Sequence, residues 1–431
     1  LAAVSEGPRL QEGKEKEFVR WFLGNDLELP EDMFAASWQV HAWENMNASK
    51  AYKISNFSYA FLDTRHSDSV SLLGWADTVS GVGEDFRSMC EVLKGQDIKA
   101  SLLDITPFAP TSNGTPLTSL AAPHGLVNIM CLAAQDIYRL QLNTPPEWWA
   151  GRYNIGLCPW ELPEWPKSAS FALEKLDEIW APSTFIAQAF SSCGKPVTYV
   201  PHTIRLQKID GDLRRELNID VDTIVFLTCY DSNASYARKN PLAVIQAFNQ
   251  AFSEKNLDVC LLIKTMNAER HSAAWQELKD ANQLGDRVIF LNERYATEKQ
   301  TLLLNTCDAF VSLHRSEGFG RLLAEAMFLG KLLIASNFGG NTDFTTTETA
   351  CPVNGKLIDV NSEEYLFGEG QQWFDADVEH AANYMREFAA NPNNFRSLSE
   401  KGRKHILACH SPEAVGQIAK KALVKTMRPF R

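Results

Sequence analysis

Two glutamates, Glu317 and Glu325, stand eight positions apart in "HRSEGFGRLLAEA", residues 314–326. Glu317 precedes Gly318, Phe319 and Gly320; Glu325 falls in the apolar stretch that follows. Carboxylates accept hydrogen bonds from hydroxyls, and a glycine pair lets backbone turn tightly and approach a ligand. The stretch follows the strand-like "DAFVSL" and opens a helix, so the first amides, near Gly320, Arg321 and Leu322, are free to meet an anion. Position alone leaves two readings open. Glu317 is a helix-cap acid and Glu325 a solvated helix charge, or the two are halves of one ligand clamp.

A second group, Arg238 and Lys239, lies in "DSNASYARKNPLAVIQAF". Pro241 marks a helix start. Two cations at a helix start oppose its dipole, and an anion between them and the loop would compensate. Arg fork geometry and a Lys point charge suit a diphosphate, and solvent-exposed basic residues are the alternative.

These residues need a scaffold, and the pattern supplies one. From residue 69, short apolar runs alternate with helical patterns: "SVSLLG", "DIKASLLDI", "GLVNIMCLAA", "RYNIGLCPW", "DEIWAPS" and "PVTYVPH". A polar segment over residues 200–222 reads as a linker. The alternation restarts with "TIVFLTCYD", "DVCLLIKT", "RVIFLNE", "DAFVSLH" and "KLLIASN". Strands alternating with helices imply parallel sheets, here two doubly wound α/β units. Ligands of such units lie outside the carboxyl ends of the strands, so the loops that follow strands are the ones that carry chemistry.

Other loops supply weaker candidates. Gly81 and Gly83 form a GxG without the third glycine or later acid of a dinucleotide site. Trp160, Glu161, Glu164 and Trp165, with Trp148 and Trp149 upstream, suit either a sugar platform or an aromatic core loop. His124 and His202 are lone histidines, more often structural than ligating.

Composition bounds the rest. The 431 residues carry a net charge of -11 with 45% apolar and 22% charged residues, ordinary for a globular protein and poorly suited to a nucleic-acid partner. Nine cysteines lack CxxC spacing and read as buried free thiols. No apolar run approaches the ~20 residues of a membrane span.

The order Glu317-x7-Glu325 within "SEGFGRLLAEAMFLGKLLIASNFGGNTDF", with "RKNP" upstream, resembles the retaining glycosyltransferases of family 4. "YNIGLCPWELPEWP", "DEIWAPSTFIAQAF" and "VTYVPHTI" are similar to a bacterial polysaccharide and O-antigen branch. The resemblance spans roughly residues 70 to 360. It implies a GT-B fold, two Rossmann-like domains facing across a cleft. The expected division is an acceptor-side domain at 1–203 with an extension at 1–68, a nucleotide-sugar domain at 204–410, and a terminal helix at 411–431 packing back on the first domain.

The resemblance further implies roles. Glu317, Arg238 and Lys239 would be catalytic, Glu317 on the donor sugar and the two cations on the departing diphosphate. Gly318, Phe319, Gly320, Arg321, Leu322 and Leu323 would line sugar and phosphates, Glu325 would accept from the ribose, and Asn292 would lie near the base. Gly81, Gly83, His124, Trp160 and Glu161, with Asn128 on the same side, would face the acceptor. No metal or other cofactor is expected. The expected donor is a nucleotide sugar, GDP-mannose first, and the acceptor a growing or lipid-linked glycan. The protein would work in the cytoplasm or at the inner membrane face, alone or with other subunits of a polysaccharide-synthesis assembly. The alternative is a non-catalytic binding module of a larger assembly.

Overall fold

The computed structural model describes residues 70–427, apart from 79, 107–122, 233, 254–256 and 362. The extension at 1–68 therefore lies outside the described residues. Two sheets of six strands each organise the chain. The first unit runs β1 (Val70–Gly74), α1 (Gly81–Gly95), β2 (Ala100–Asp104), β3 (Val127–Cys131), α2 (Ala134–Asn143), β4 (Tyr153–Leu157), β5 (Glu178–Ala181), α3 (Thr184–Ala189) and β6 (Val197–Tyr199). Its strand order is β2-β1-β3-β4-β5-β6, all parallel. β1, β3 and β5 are buried along their whole length, as parallel strands covered on both faces must be.

The second unit runs β7 (Ile224–Cys229), α4 (Tyr236–Lys239), α5 (Pro241–Phe252), β8 (Val259–Thr265), α6 (Ser272–Asp280), β9 (Val288–Asn292), α7 (Thr297–Thr306), β10 (Ala309–Ser312), α8 (Arg321–Phe328), β11 (Leu332–Ser336) and β12 (Cys351–Val353). Its order is β12-β11-β10-β7-β8-β9, again parallel. Each sheet-type run and interleaved helix read from the sequence is present. The segment over 200–222 forms neither helix nor strand.

After β12 comes an antiparallel hairpin, β13 (Gly355–Asp359) and β14 (Gln372–Ala376). It leaves the second sheet, and its connecting loop reaches the first unit. Val360, Leu366, Phe367 and Trp373 are buried in the same apolar cluster as Trp160, Trp165, Phe171 and Phe190 of the first unit. The helices α9 (Val378–Ala390), α10 (Arg396–Cys409) and α11 (Pro412–Met427) complete the chain. α11 returns to the first unit, where Val415, Ala419 and Leu423 share a cluster with Val70, Phe86 and Val92. Thr426 donates to the buried Glu178 carboxylate at 3.2 Å and ties down the end of that helix.

Cysteines Cys131, Cys158, Cys260, Cys307 and Cys351 are buried, and all nine are free thiols. Among the described residues no helix is long and apolar enough to cross a membrane.

Candidate active site

The carboxyl ends of the two sheets meet. From the first unit come the start of α1, the loop after β4 and the start of α3. From the second come α4, the loop from β10 to α8, and the loop after β11.

Arg238 and Lys239 occupy the last turn of α4, not the start of α5. The break between the two helices is Asn240, in the left-handed region at φ 49°, with its side-chain amide donating to the Leu313 carbonyl at 3.1 Å. A helix start at Pro241 alone would set both cations against a helix dipole; the turn at Asn240 places them at a C-terminal end instead, where carbonyls favour positive charge. Their local dipole therefore does not by itself demand an anion.

The cations converge on Glu317. Lys239 Nζ donates to Glu317 Oε1, and Arg238 Nη1 lies 3.4 Å from Oε2. Arg238 Nη1 also donates to the Ser316 carbonyl at 3.0 Å. Burial pushes the Glu317 carboxyl up, but Lys239, Arg238 and His314 outweigh it and hold the group at about 2. Glu317 is thus an ionised carboxylate enclosed by protein, and it caps no helix. The cap position of α8 is Gly320, at φ 88°, and among the described residues no side chain caps the first amides of that helix. Glycine is the residue that reaches this backbone region at little cost.

Gly318 serves a different contact from the one its sequence suggests. A β-carbon there would lie 2.5 Å from the Trp160 carbonyl of the first unit. The Gly318 carbonyl accepts from Ser183 Oγ at 2.5 Å. The close approach is between the two domains. Phe319 packs at ring distances of 5.0 Å to His202, 5.4 Å to Phe344 and 5.3 Å to His410, inside the protein. Leu323 is buried and Leu322 partly buried in the apolar cluster of the second unit, so the polar groups these two residues can offer a ligand are their backbone amides.

Arg321 turns toward the first unit. Its Nη2 donates to Asp85 Oδ1 at 2.5 Å and its Nη1 to the Thr203 carbonyl at 3.2 Å. His202 Nε2 approaches the same Asp85 oxygen at 3.3 Å. Burial, Arg321 and His410 push His202 well below its ordinary range, so its ring is neutral. Glu325 is half-buried one turn further on. Burial raises its carboxyl to about 7, with Arg321 pulling down and Glu84 pushing up. It is not a solvated surface charge. Asn292, at the exposed end of β9, accepts from the Ala268 amide at 3.2 Å and donates to Glu269 at 3.3 Å. It braces the neighbouring loop.

Glu161 joins the cluster from the first unit. One oxygen lies 3.7 Å from Arg238 Nη2, and the other accepts from the Tyr365 hydroxyl. Its carbonyl accepts from Ser316 Oγ. Burial and Glu161 hold the Tyr365 hydroxyl well above its ordinary range, so it remains a donor.

The remaining first-unit candidates do not form a sugar platform. Trp160 and Trp165 are 2% and 4% exposed, pack edge to face at 4.7 Å, and Trp165 stacks on Phe190. Trp148 and Trp149 precede β4 and lie at the amino end of the sheet, where Asn128 and Asn154 bond their carbonyls at 2.9 and 3.3 Å. His124 is exposed three residues before β3, at that same amino end and away from the meeting loops. Parallel strands put successive connections at opposite sheet ends, which separates it from the site. A β-carbon on Gly83 would lie 2.5 Å from the Thr78 carbonyl and 2.9 Å from the Trp75 carbonyl, a close approach within its own loop, while one on Gly81 would meet nothing within 4 Å.

His314, Asn341, Asp85, Ser183 and Tyr365 join the site without being among the candidates named from the sequence. His314 bonds Ser312 at 2.9 Å and Asn341 at 3.0 Å behind Glu317. Both lie within the quoted motifs, so spacing offered a signal. Tyr365 offered none, because its loop carries no strand or helix period. Among the described residues no group of three or more His, Cys, Asp and Glu side chains is placed to hold a metal ion.

Residues 212–391 match the family described as Glycosyl transferases group 1. Solved structures align over the described fold. HepE from Anabaena, in complex with UDP and glucose, is 14% identical with a TM-score of 0.58, covering 83% of this chain and 99% of that one. The fold is GT-B. Sucrose-phosphate synthase from Thermosynechococcus elongatus is 15% identical with a TM-score of 0.59, covering 83% and 99%. A glycosyltransferase from Rickettsia africae is 12% identical with a TM-score of 0.58, covering 84% and 100%. No curated protein matches the chain. In this GT-B chain the group 1 match holds Arg238, Lys239, Glu317 and Glu325, and the opposing wall is contributed by residues outside it.

Proposed function

We propose that the protein is a retaining glycosyltransferase that moves a hexose from a nucleoside-diphosphate sugar to a glycan hydroxyl. The observation that carries this reading is the Glu317 carboxylate held between Lys239 and Arg238 beside the uncapped first amides of α8. A diphosphate accepts from those amides and from Lys239 and Arg238. These donors stabilise the negative charge that grows as the diphosphate leaves. Glu317, ionised and acceptor-only, takes hydrogen bonds from the sugar hydroxyls, and Glu325 takes them from the ribose. The acceptor oxygen forms its bond to the anomeric carbon as the bond to the diphosphate breaks. The acceptor proton passes to the departing phosphate oxygen on the same face, which keeps the configuration. No covalent sugar–enzyme bond is required.

The chain cations carry the charge stabilisation, so the reaction is assigned without a metal or other cofactor. GDP-mannose is the first donor to test. UDP-sugars come next, since the structural neighbour HepE was solved with UDP. The acceptor assigned is a growing or lipid-linked polysaccharide, met in the cytoplasm or at the inner membrane face.

A thermal-shift panel of GDP, UDP, dTDP and ADP tests the donor class. A ligand at a hundred times its Kd adds about 2.7 kcal/mol to the stability of the folded state. The matching nucleotide should raise the melting temperature, and Lys239→Ala should remove that rise. Turnover of the matching sugar nucleotide should fall at least about a hundredfold in Glu317→Ala, as for loss of a charge-stabilising group. No shift with any nucleotide and no turnover with any donor would sink the reading. Nucleotide binding without turnover would favour a binding module.

A further inference from the structure

Arg238 faces a carboxylate from each domain. Its Nη1 donates to the Ser316 carbonyl at 3.0 Å, but its carboxylate contacts are loose for a buried guanidinium, 3.4 Å to Glu317 and 3.7 Å to Glu161. Among the described residues its Nε–H has no hydrogen-bond partner. A buried donor left unmade is costly, and charge-assisted bonds to phosphate oxygens form near ~2.8 Å. The guanidinium is therefore under-bonded, and Glu161 is a poorer partner for it than a phosphate would be.

Glu161 is held in place from its other side. Tyr365 donates to its second oxygen, packs its ring 6.2 Å from Trp160, and sits 6.0 Å from the Arg238 guanidinium. Tyr365 belongs to the loop between β13 and β14, and that loop is anchored in the first domain. Leu366 and Phe367 are buried in the cluster of Trp160 and Trp165, and Gln371 accepts from the Glu164 amide at 3.0 Å. The hairpin is thus a strap: covalently part of the second domain, seated on the first. Beside it, the Gly318 backbone lies against the Trp160 carbonyl, and Ser316 bonds the Glu161 carbonyl. Both oxygens of Glu317 face cations of its own domain. A sugar at Glu317 and a phosphate at Arg238 would need the space and the donors that these contacts occupy.

We propose that Glu161, oriented by Tyr365, is an internal substitute for the donor's phosphate. Its pairing with Arg238 latches the two domains together until a nucleoside diphosphate displaces it. This inference rests on the donor-binding reading given above. Donor binding and opening of the cleft are then one coupled equilibrium. The strap's apolar residues stay seated on the first domain, and the Arg238–Glu317 loop moves away from Glu161. Affinity for the donor is reduced by the fraction of molecules that are open. If one molecule in about ten is open, release of the latch gains about tenfold in affinity.

The test measures Kd for GDP, UDP, dTDP and ADP by calorimetry in the wild type, Glu161→Gln, Tyr365→Phe and Lys239→Ala. Amide exchange of residues 314–320 is followed in the same proteins without nucleotide. Expected are about tenfold tighter binding in Glu161→Gln, a smaller gain in Tyr365→Phe, and faster exchange of 314–320 in both. Tyr365→Phe keeps the ring packing, so it serves even where Glu161→Gln folds poorly. Wild-type binding that Lys239→Ala abolishes, but that neither latch variant tightens, overturns the latch and leaves the donor reading standing. If neither the wild type nor a latch variant binds any nucleotide, the donor reading falls and the latch falls with it.

Discussion

Glu317 and Glu325 share a residue type and a helix-start motif, yet their surroundings drive them apart. Cations hold Glu317 at about 2, and burial raises Glu325 to about 7. The signs of their contributions to stability are therefore opposite. Glu317 is depressed below the usual carboxyl range. The stability it lends is present above about 4.5 and is lost as pH falls toward 2. Glu325 is raised. Its neutral form favours folding below 4.5, and that contribution disappears as pH climbs through 7. Glu325→Gln should therefore raise the melting temperature at pH 8 and leave it unchanged at pH 4. Scanning calorimetry at the two pH values checks this, and an equal shift at both would contradict it. If Glu325 accepts from a ribose hydroxyl, nucleotide affinity in the wild type should rise from pH 6 to pH 8, and Glu325→Gln should flatten that rise. Titration calorimetry across the range reads it directly.

The decisive element is the short α4–α5 break. Pro241 signalled a helix start in the sequence, correctly. The single turn before it, with Asn240 at positive φ, did not show in the pattern, because four residues carry no helical period. That turn sets the direction in which Arg238 and Lys239 point. Asn240→Ala should cost about 1–3 kcal/mol, from the left-handed backbone and the bond lost to Leu313. Asn240→Gly should cost less, since it removes only the bond. Urea denaturation of the two variants separates the terms. The strap shows the same limit of pattern reading. β13 and β14 pair locally as a hairpin, but nothing in their alternation says that the loop between them crosses to the other domain. Its destination is set by Leu366 and Phe367 finding the tryptophan cluster.

At the scale of the whole molecule, a second buried charge network spans the domains beside that of Arg238 and Glu161. Arg321, at the first position of α8, is neutralised by Asp85 from α1, with the neutral His202 alongside. Removing one partner of a buried pair leaves an uncompensated charge and typically costs about 3–5 kcal/mol. Asp85→Ala should therefore lower stability by an amount in that range, although Asp85 lies more than two hundred residues from Arg321 in sequence. A loss below about 1 kcal/mol in chemical denaturation would show that the pair is solvated in solution. Asp85→Ala together with Arg321→Met should recover much of the loss, since no buried charge then remains unpaired.

The sequence by itself determined the two parallel sheets, the segment between them and the membership of the Glu317, Arg238 and Lys239 cluster. Those features follow from local period and from which loops succeed strands, and both are written along the chain. Tertiary structure alone decided what each side chain meets. Trp160 and Trp165 became core because a strap from the other domain covers them. Gly318 yields to a carbonyl of the facing domain, and His124 falls at the far end of its sheet. Glu161 and Tyr365 meet Arg238 across an interface that no local pattern encodes. Burial, partner distance and the resulting charge states arise only when remote segments share one volume, and they set how the site is held before a ligand arrives.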